Sequence, residues 1–290
     1  MFVGDDRIQQ QVVDWFDCNA RELPWRSDPQ PWGVLVSEIM LAQTPVARVE
    51  PVWREWLQRW PTPAKLASDP AAEAIKAWGR LGYPRRALRL HEAARIIVRD
   101  HRGEVPDDYD ALLSLPGVGD YTAAAVLSFA FDRRALVLDV NVRRLLARLL
   151  NGVAAPPTHT TKAERALATE LIPTSEPARW AAASMELGAL ICTARAPQCH
   201  ECPVAPDCRW LAAGRPGLGG STTKRQRFAG TDRQVRGLIM AVLRDADEPV
   251  QRAQLDAVWS DRIQLLRALD SLVADGLVDP IGDQALTLPT

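Results

Sequence analysis

Four of the five cysteines in this 290-residue chain stand within one short segment, at Cys192, Cys199, Cys202 and Cys208, spaced C-x6-C-x2-C-x5-C. Four thiolates so close together can hold either a structural zinc ion or a cubane 4Fe–4S cluster. Zinc sites usually pair two C-x2-C units on separate turns, whereas here a single C-x2-C is flanked by outer cysteines at unequal distances. That spacing fits a compact loop wrapped around one larger cluster. Disulfides are the other use of clustered cysteines, but the opening MFVGDDRIQQ lacks a basic region followed by an apolar stretch and so does not look like a secretion signal. A reducing, cytoplasmic setting is therefore expected, and metal ligation with it. Cys18, in the apolar pattern VVDWFDC, is expected to be an inert core residue.

Two carboxylates are candidates for acid–base work. Glu38 lies in PWGVLVSEIMLAQTPV between Val36, Ile39, Met40 and Leu41, where burial would raise its pKa and keep it protonated near neutrality. Asp139 opens VLDVNVRRLLAR at a helix start. A neutral acid opposite an ionised carboxylate suits cleavage of a glycosidic bond: one protonates the leaving group and the other steadies the oxocarbenium ion. Each also has a plainer reading, Glu38 as a surface glutamate and Asp139 as an N-cap. LPGVGDYTAAAVLSFAF, residues 115–131, adds a Gly-x-Gly turn before an apolar helix. Its glycines let the main chain approach a partner closely, with N–H groups facing outward toward phosphate oxygens. An ordinary tight turn is the alternative.

The elements that must position these groups are almost all helical. RIQQQVVDWF, ALRLHEAARIIVRD and AERALATELI space their apolar residues by three and four, and Pro29, Pro61, Pro70, Pro106, Pro116 and Pro173 separate the periodic segments. Beyond the cysteines, residues 213–230 form a linker rich in Gly, Ser, Thr and basic residues. Residues 231–290 then predict three short amphipathic helices and a terminal two-strand wing, a winged-helix-like α+β module; a helical docking domain is the alternative. Hydrophobic residues make up 47% and charged residues 24%, ordinary values for a globular chain, and no apolar run reaches the length of a bilayer span. No membrane role is expected. A net charge of −1 gives no global sign of a nucleic-acid partner.

Taken together, these residues resemble the endonuclease III, or helix-hairpin-helix, superfamily of DNA base-excision glycosylases. The resemblance covers roughly residues 5–212 and runs through RELPWR (21–26), SEIMLAQTPV (37–46), RLGYPRRALRL (80–90) and MELGALICTARAPQC (185–199). It implies an all-α fold of two helical subdomains, with a six-helix subdomain bearing the hairpin at 28–133 and an iron–sulfur cluster subdomain built from 1–27 and 134–212. In that family the cluster is structural and redox-capable, and its loop, here with Arg195, His200 and Arg209, presents basic groups to the DNA backbone. Gly117, Val118, Gly119 and Thr122 would hold a phosphate, often with a monovalent cation bridging the hairpin carbonyls. Asp139 falls at the place of the family's essential aspartate.

Strand-nicking members carry a Schiff-base lysine two residues after the GVG turn, where this chain has Tyr121. The resemblance thus implies a monofunctional enzyme that leaves an abasic site. Thymine-removing members share the tyrosine and aspartate but lack the glutamate. Glu38, Tyr121, Asp139 and Asn141 together are similar to the adenine-removing branch, whose substrate is duplex DNA with adenine opposite 8-oxoguanine or guanine. By motif position Arg26 and Asn141 would line the adenine pocket, Gln43 and Tyr83 would wedge into the base stack, and Thr44 and Leu81 would touch the opposite 8-oxoguanine. Packing within a helix turn is the plainer reading of Tyr83 and Leu81, and a surface cation that of Arg26.

The chain departs from the family at three places. Ala42 stands where a second glutamine usually precedes Gln43, GYPRRA replaces GYYSRA so that Pro84 stiffens the turn, and the C-terminal residues are too few and too helical for a Nudix-like domain. The KRQR linker and terminal module are instead expected to add nonspecific backbone affinity. Thymine or uracil removal, and a catalytically silent iron–sulfur DNA-binding protein, are the alternatives, and the presence of both Glu38 and Asp139 argues against the silent binder. A monomer associated with the nucleoid is expected.

Overall fold

Apolar residues at helical spacing dictate the architecture of the computed structural model, which describes residues 6–218, 227–282 and 284–290. Along the chain run α1 (Asp6–Asn19), α2 (Pro24–Ser27), α3 (Pro31–Leu41), α4 (Val46–Arg59), α5 (Pro63–Ser68), α6 (Ala71–Trp78), α7 (Arg85–Asp100) and α8 (Tyr109–Ser114). They are followed by α9 (Asp120–Phe131), α10 (Val140–Asn151), α11 (Lys162–Glu170), α12 (Pro177–Leu190) and α13 (Arg209–Ala212). The C-terminal segment holds α14 (Asp232–Asp245), β1 (Val250–Gln251), α15 (Arg252–Asp256), α16 (Arg262–Ala274), β2 (Asp279–Ile281) and β3 (Ala285–Thr287). Among the described residues no helix is long and apolar enough to cross a membrane. Lys224, Arg225 and Gln226 of the basic linker lie outside the described residues.

The chain divides into two compact units, residues 1–38, 107–114 and 118–222 in the first and 39–106, 115–117 and 223–290 in the second. The division differs from one drawn at 28 and 134. Helix α9 goes with the first unit because it packs on α12, and the C-terminal module goes with the second because α14 packs on α6. Residues 28–133 hold seven helices, α3 to α9, where six were expected. Periodicity reveals that a helix has an apolar face, but not which neighbour covers it.

In the first unit α12 is the central support, with α1 and α10 packed on it. Ile8 and Val12 from α1, Val142, Leu145 and Leu149 from α10, and Trp180, Ala183 and Leu187 from α12 share one core. Their spacing is the three-and-four pattern of a buried helical stripe. Cys18 departs from expectation, since it is exposed. It sits in the last turn of α1, outside the stripe formed by Ile8, Val12, Trp15 and Phe16, so the apolar pattern around it does not bury it.

The second unit is centred on tryptophans. Trp56 meets Trp60 and Trp78 edge to face, with ring centroids 4.6 and 5.8 Å apart, and all three are buried. Its C-terminal module is α+β, as expected, with one strand more than the two-strand wing. The sheet order is β1-β3-β2, antiparallel throughout, with Val250 and Pro280 both opposite Leu286. Pro280 is tolerated because β2 is an edge strand.

Candidate active site

Helix α3 is buried along nearly its whole length, and Glu38 rides on it with 6% of its surface exposed. Burial raises its carboxyl to about 7, the Tyr121 hydroxyl opposes that rise, and the charge of Asp139 adds to it. Glu38 is thus the member of the pair that keeps a proton near neutrality. Tyr121, on the first turn of α9, is held well above its ordinary pKa by burial and by both carboxylates, so it stays a neutral donor facing Glu38.

Asp139 is the N-cap of α10. Its Oδ1 accepts from the backbone N–H of Asn141 at 2.9 Å and of Val142 at 2.7 Å, while its Oδ2 accepts from Asn141 Nδ2 at 2.6 Å. Burial raises Asp139, and these bonds together with the charge of Arg144 oppose the rise. Asn141 is itself held, because its Oδ1 accepts from Arg144 Nη2 at 2.9 Å. Arg144 continues to Gly188 O at 2.6 Å and Cys192 O at 2.7 Å. A line of hydrogen bonds therefore connects the aspartate to the start of the cysteine loop.

Arg26 also belongs to this unit, on the short helix α2, and its charge reaches Glu38. Its Nη2 donates to Glu186 at 2.8 Å, whereas its Nη1 is buried without a partner among the described residues. Glu186 went unnoticed in the sequence. It is fully buried on α12 and grips Arg21 with both oxygens, at 2.6 and 2.8 Å. Burial alone would raise its carboxyl, but the bonds from Arg21 and Arg26 hold it down at about 2. The signal was an acidic residue inside the apolar run MELGALIC, the same signal that marks Glu38.

The structure brings Glu38, Tyr121, Asp139, Asn141 and Arg26 together in the first unit. Gln43, Thr44, Leu81 and Tyr83 fall in the second. Gln43 and Tyr83 are both non-glycine residues with positive φ, 60° and 51°, and both are exposed, Tyr83 by 51%. Thr44 and Leu81 are buried, at 6% and 4%. Arg86 ties the two turns together, donating to the carbonyls of Ile39, Met40 and Ala42 at 2.6 to 2.9 Å, to Thr44 Oγ1 at 2.9 Å and to Gly82 O at 3.1 Å.

In the hairpin turn Gly117 has φ 86°, a backbone state that calls for glycine, and a Cβ there would also crowd Arg89 Cβ at 3.0 Å. Gly119 is the N-cap of α9 and offers no side chain to the free N–H groups of its first turn, Thr122 included. Those groups are open to an anion.

Cys192, Cys199, Cys202 and Cys208 line one partly open cavity, with Leu145, Val204 and Trp210 supplying apolar wall. Arg148 reaches Cys192 Sγ at 3.4 Å and stacks 4.3 Å from the Trp210 ring. Among the described residues no three potential ligands converge tightly enough for one metal ion. Four thiols lining one apolar-walled cavity are a donor set suited to a 4Fe–4S cluster.

Residues 36–173 match the model of the HhH-GPD superfamily of base excision DNA repair proteins, and residues 192–208 that of the iron–sulfur binding domain of endonuclease III. An adenine DNA glycosylase of Mycolicibacterium smegmatis is 50% identical over 281 residues, 96% of this chain and 94% of the relative. Among solved structures, a thermostable thymine-DNA glycosylase matches with TM-score 0.66 and 29% identity over 72% of this chain and 96% of its own. A non-covalent endonuclease III–DNA complex matches with TM-score 0.62 and 26% identity over 72% and 95%.

Proposed function

Because the chain belongs to the HhH-GPD superfamily of base excision DNA repair proteins, we propose that it is a monofunctional adenine DNA glycosylase acting on duplex DNA, with adenine opposite 8-oxoguanine or guanine as its substrate. The observation that carries the reading is the buried Glu38, held at about 7 beside Asp139 and Tyr121. Adenine is a poor leaving group until a ring nitrogen is protonated, and Glu38 supplies that proton. The C1′–N9 bond then breaks with its electron pair going to the base, and positive charge grows on the sugar. The Asp139 carboxylate, fixed by three hydrogen bonds, stabilises that charge without having to move. Water adds to the sugar carbon, and its proton returns to the Glu38 carboxylate. Tyr121 cannot form a Schiff base, so the product is an abasic site in an uncut strand.

Around this centre, the free Nη1 of Arg26 supports a role in receiving an acceptor atom of the extruded base. The exposed, strained Gln43 and Tyr83 suit insertion into the base stack. Thr44 and Leu81 are buried, and main-chain contacts to the opposite base fit them better than side-chain contacts. Backbone N–H groups from Gly117, Val118 and Gly119 to Thr122 would hold a phosphate, with a monovalent cation at the hairpin carbonyls. The four clustered cysteines would hold the 4Fe–4S cluster, which braces its loop and takes no part in breaking the glycosidic bond. The protein works as a monomer at the nucleoid.

Single-turnover excision tests the reading, with heat and alkali applied to reveal abasic sites, on a panel of A:8-oxoguanine, A:G, T:G and U:G duplexes. Alkali-dependent breaks at adenine are expected, reduced roughly 10²- to 10⁴-fold in Glu38→Gln with duplex binding retained. Product only from T:G or U:G would favour the thymine-glycosylase reading that the structural neighbour suggests. Tight binding without product on any duplex would mark a silent binder.

A further inference from the structure

Residues 231–290 contain six arginines and no lysine against ten acidic residues, a net charge of −4. A segment of that sign repels the DNA backbone and is poorly suited to the nonspecific affinity expected of it. Its contacts within the second unit point elsewhere. Three of its side chains meet the turn between α6 and α7. Arg233 places its guanidinium 5.8 Å from the Tyr83 ring centre and 5.7 Å from that of Phe228. Asp275 pairs with Arg85 at 3.1 Å and with Arg236 of its own module. Arg244 lies close enough to Arg80 to feel its charge.

That turn needs holding. Tyr83 has φ 51° and precedes Pro84, a backbone state that costs a side-chain-bearing residue about 1–3 kcal/mol and persists only where neighbours enforce it. Arg86 enforces it from within the helical part, with its guanidinium 5.4 Å from the Tyr83 ring and its bond to Gly82 O. We propose that the C-terminal module completes the hold: Asp275 fastens the turn through Arg85, and Arg233 is a positioning residue that keeps the Tyr83 ring set for insertion while the base is extruded. The inference rests on the adenine-glycosylase reading and its wedge. The relative of similar length from Mycolicibacterium smegmatis aligns over 96% of the chain, so the shared region extends into the module.

The test is a double-mutant cycle in the full-length protein on an A:8-oxoguanine duplex, with 2-aminopurine beside the adenine to report base extrusion. Arg233→Ala should slow single-turnover excision and dampen the extrusion signal roughly three- to tenfold, the range a partly exposed cation–π contact supports, and Arg233→Lys should restore part of both. In a Tyr83→Ala background Arg233→Ala should have no further effect. Amide exchange of residues 79–86 should quicken in Arg233→Ala and in Asp275→Asn. Full additivity with Tyr83→Ala, together with unchanged exchange, would overturn the proposal. So would a uniform loss of affinity for all duplexes with a shallower salt dependence, which would make Arg233 a phosphate contact. If the wild type excises no adenine, the parent reading fails, and the exchange measurement still decides whether the module holds the turn.

Discussion

Glu38 and Glu186 are both buried glutamates in apolar helices of the same unit, and what separates them is their donors. Glu186 accepts from two arginines and is held at about 2, whereas burial raises Glu38 to about 7, with only the Tyr121 phenol and the charge of Arg26 opposing the rise and Asp139 adding to it. As the proposed general acid Glu38 must be protonated to act, so single-turnover excision should be level below about pH 7 and fall roughly tenfold per unit above it, a limb absent from whatever residual rate Glu38→Gln retains. The same shift has a cost in stability. Between the ordinary 4.5 and about 7 the folded state binds a proton that the unfolded state releases, so stability is lost as pH rises through that window. Glu38→Gln should therefore melt higher than wild type at pH 8, by about 2–3 kcal/mol at most, and no higher at pH 4. Glu186→Gln should do the opposite. Its lowered carboxyl adds stability above the ordinary 4.5 that is lost as pH falls toward about 2. Removing the charge at pH 7 leaves Arg21 and Arg26 without their counter-ion, at about 1–3 kcal/mol, the low end for a buried pair because both arginines reach water. Urea melts at pH 7 read this directly, and a neutral result would mean that Glu186 does not fix Arg26.

At the level of elements, the site depends on α10 and α12 lying close enough for main chain to meet main chain. Gly188 of α12 makes this possible, since a Cβ there would lie 2.6 Å from Asn141 O and 2.8 Å from Asn141 C, with no flexible side chain to give way. Gly188→Ala should push the first turn of α10 aside, displacing Asn141 and Asp139, and should cost roughly 1–3 kcal/mol along with most of the excision rate. Gly237, on an exposed stretch of α14 with nothing within reach of an added Cβ, provides the contrast. Gly237→Ala should stabilise by about 0.5–1 kcal/mol and leave excision unchanged. Thermal melts paired with single-turnover rates check both. The two glycines also mark what could be read in advance. Asp139 was legible as an N-cap because the signal is local, an aspartate directly before an apolar helical pattern. The need for Gly188 was not, because it arises from a residue forty-seven positions away in sequence. Glu38 stood out for its apolar flanks. The strain at Gln43 and Tyr83 left no mark at all, since neither is a residue type that advertises positive φ.

Over the whole molecule, helix content and the α+β character of the C-terminal module were legible in the sequence, while the membership of α9 and the module in their units was not, because partner choice is decided by long-range packing. The cysteine loop shows how local and long-range order meet. Its spacing announced a cluster, but the structure adds that the carbonyls of Cys192, Thr193 and Ala194 receive Arg144 and Arg148 from α10, at 2.7 to 3.3 Å. Those same arginines hold Asn141, through Arg144, and the wall of the cysteine cavity, through Arg148. A loop that loses its cluster should therefore release α10 as well. Cys202→Ser is expected to lower bound iron and visible absorbance, and to quicken amide exchange over 192–208 and 137–151 together. Residues 46–100, in the other unit, should exchange as before. Excision should fall further than duplex binding, because the turn at 117–119, proposed to hold a phosphate, makes no use of these arginines while Asp139 depends on them. Rapid exchange confined to 192–208, with α10 still protected and excision unchanged, would show that the loop and the aspartate are independent. A joint loss in 192–208 and 137–151 would establish the arginine pair as the link through which the cluster loop sets the geometry of Asp139.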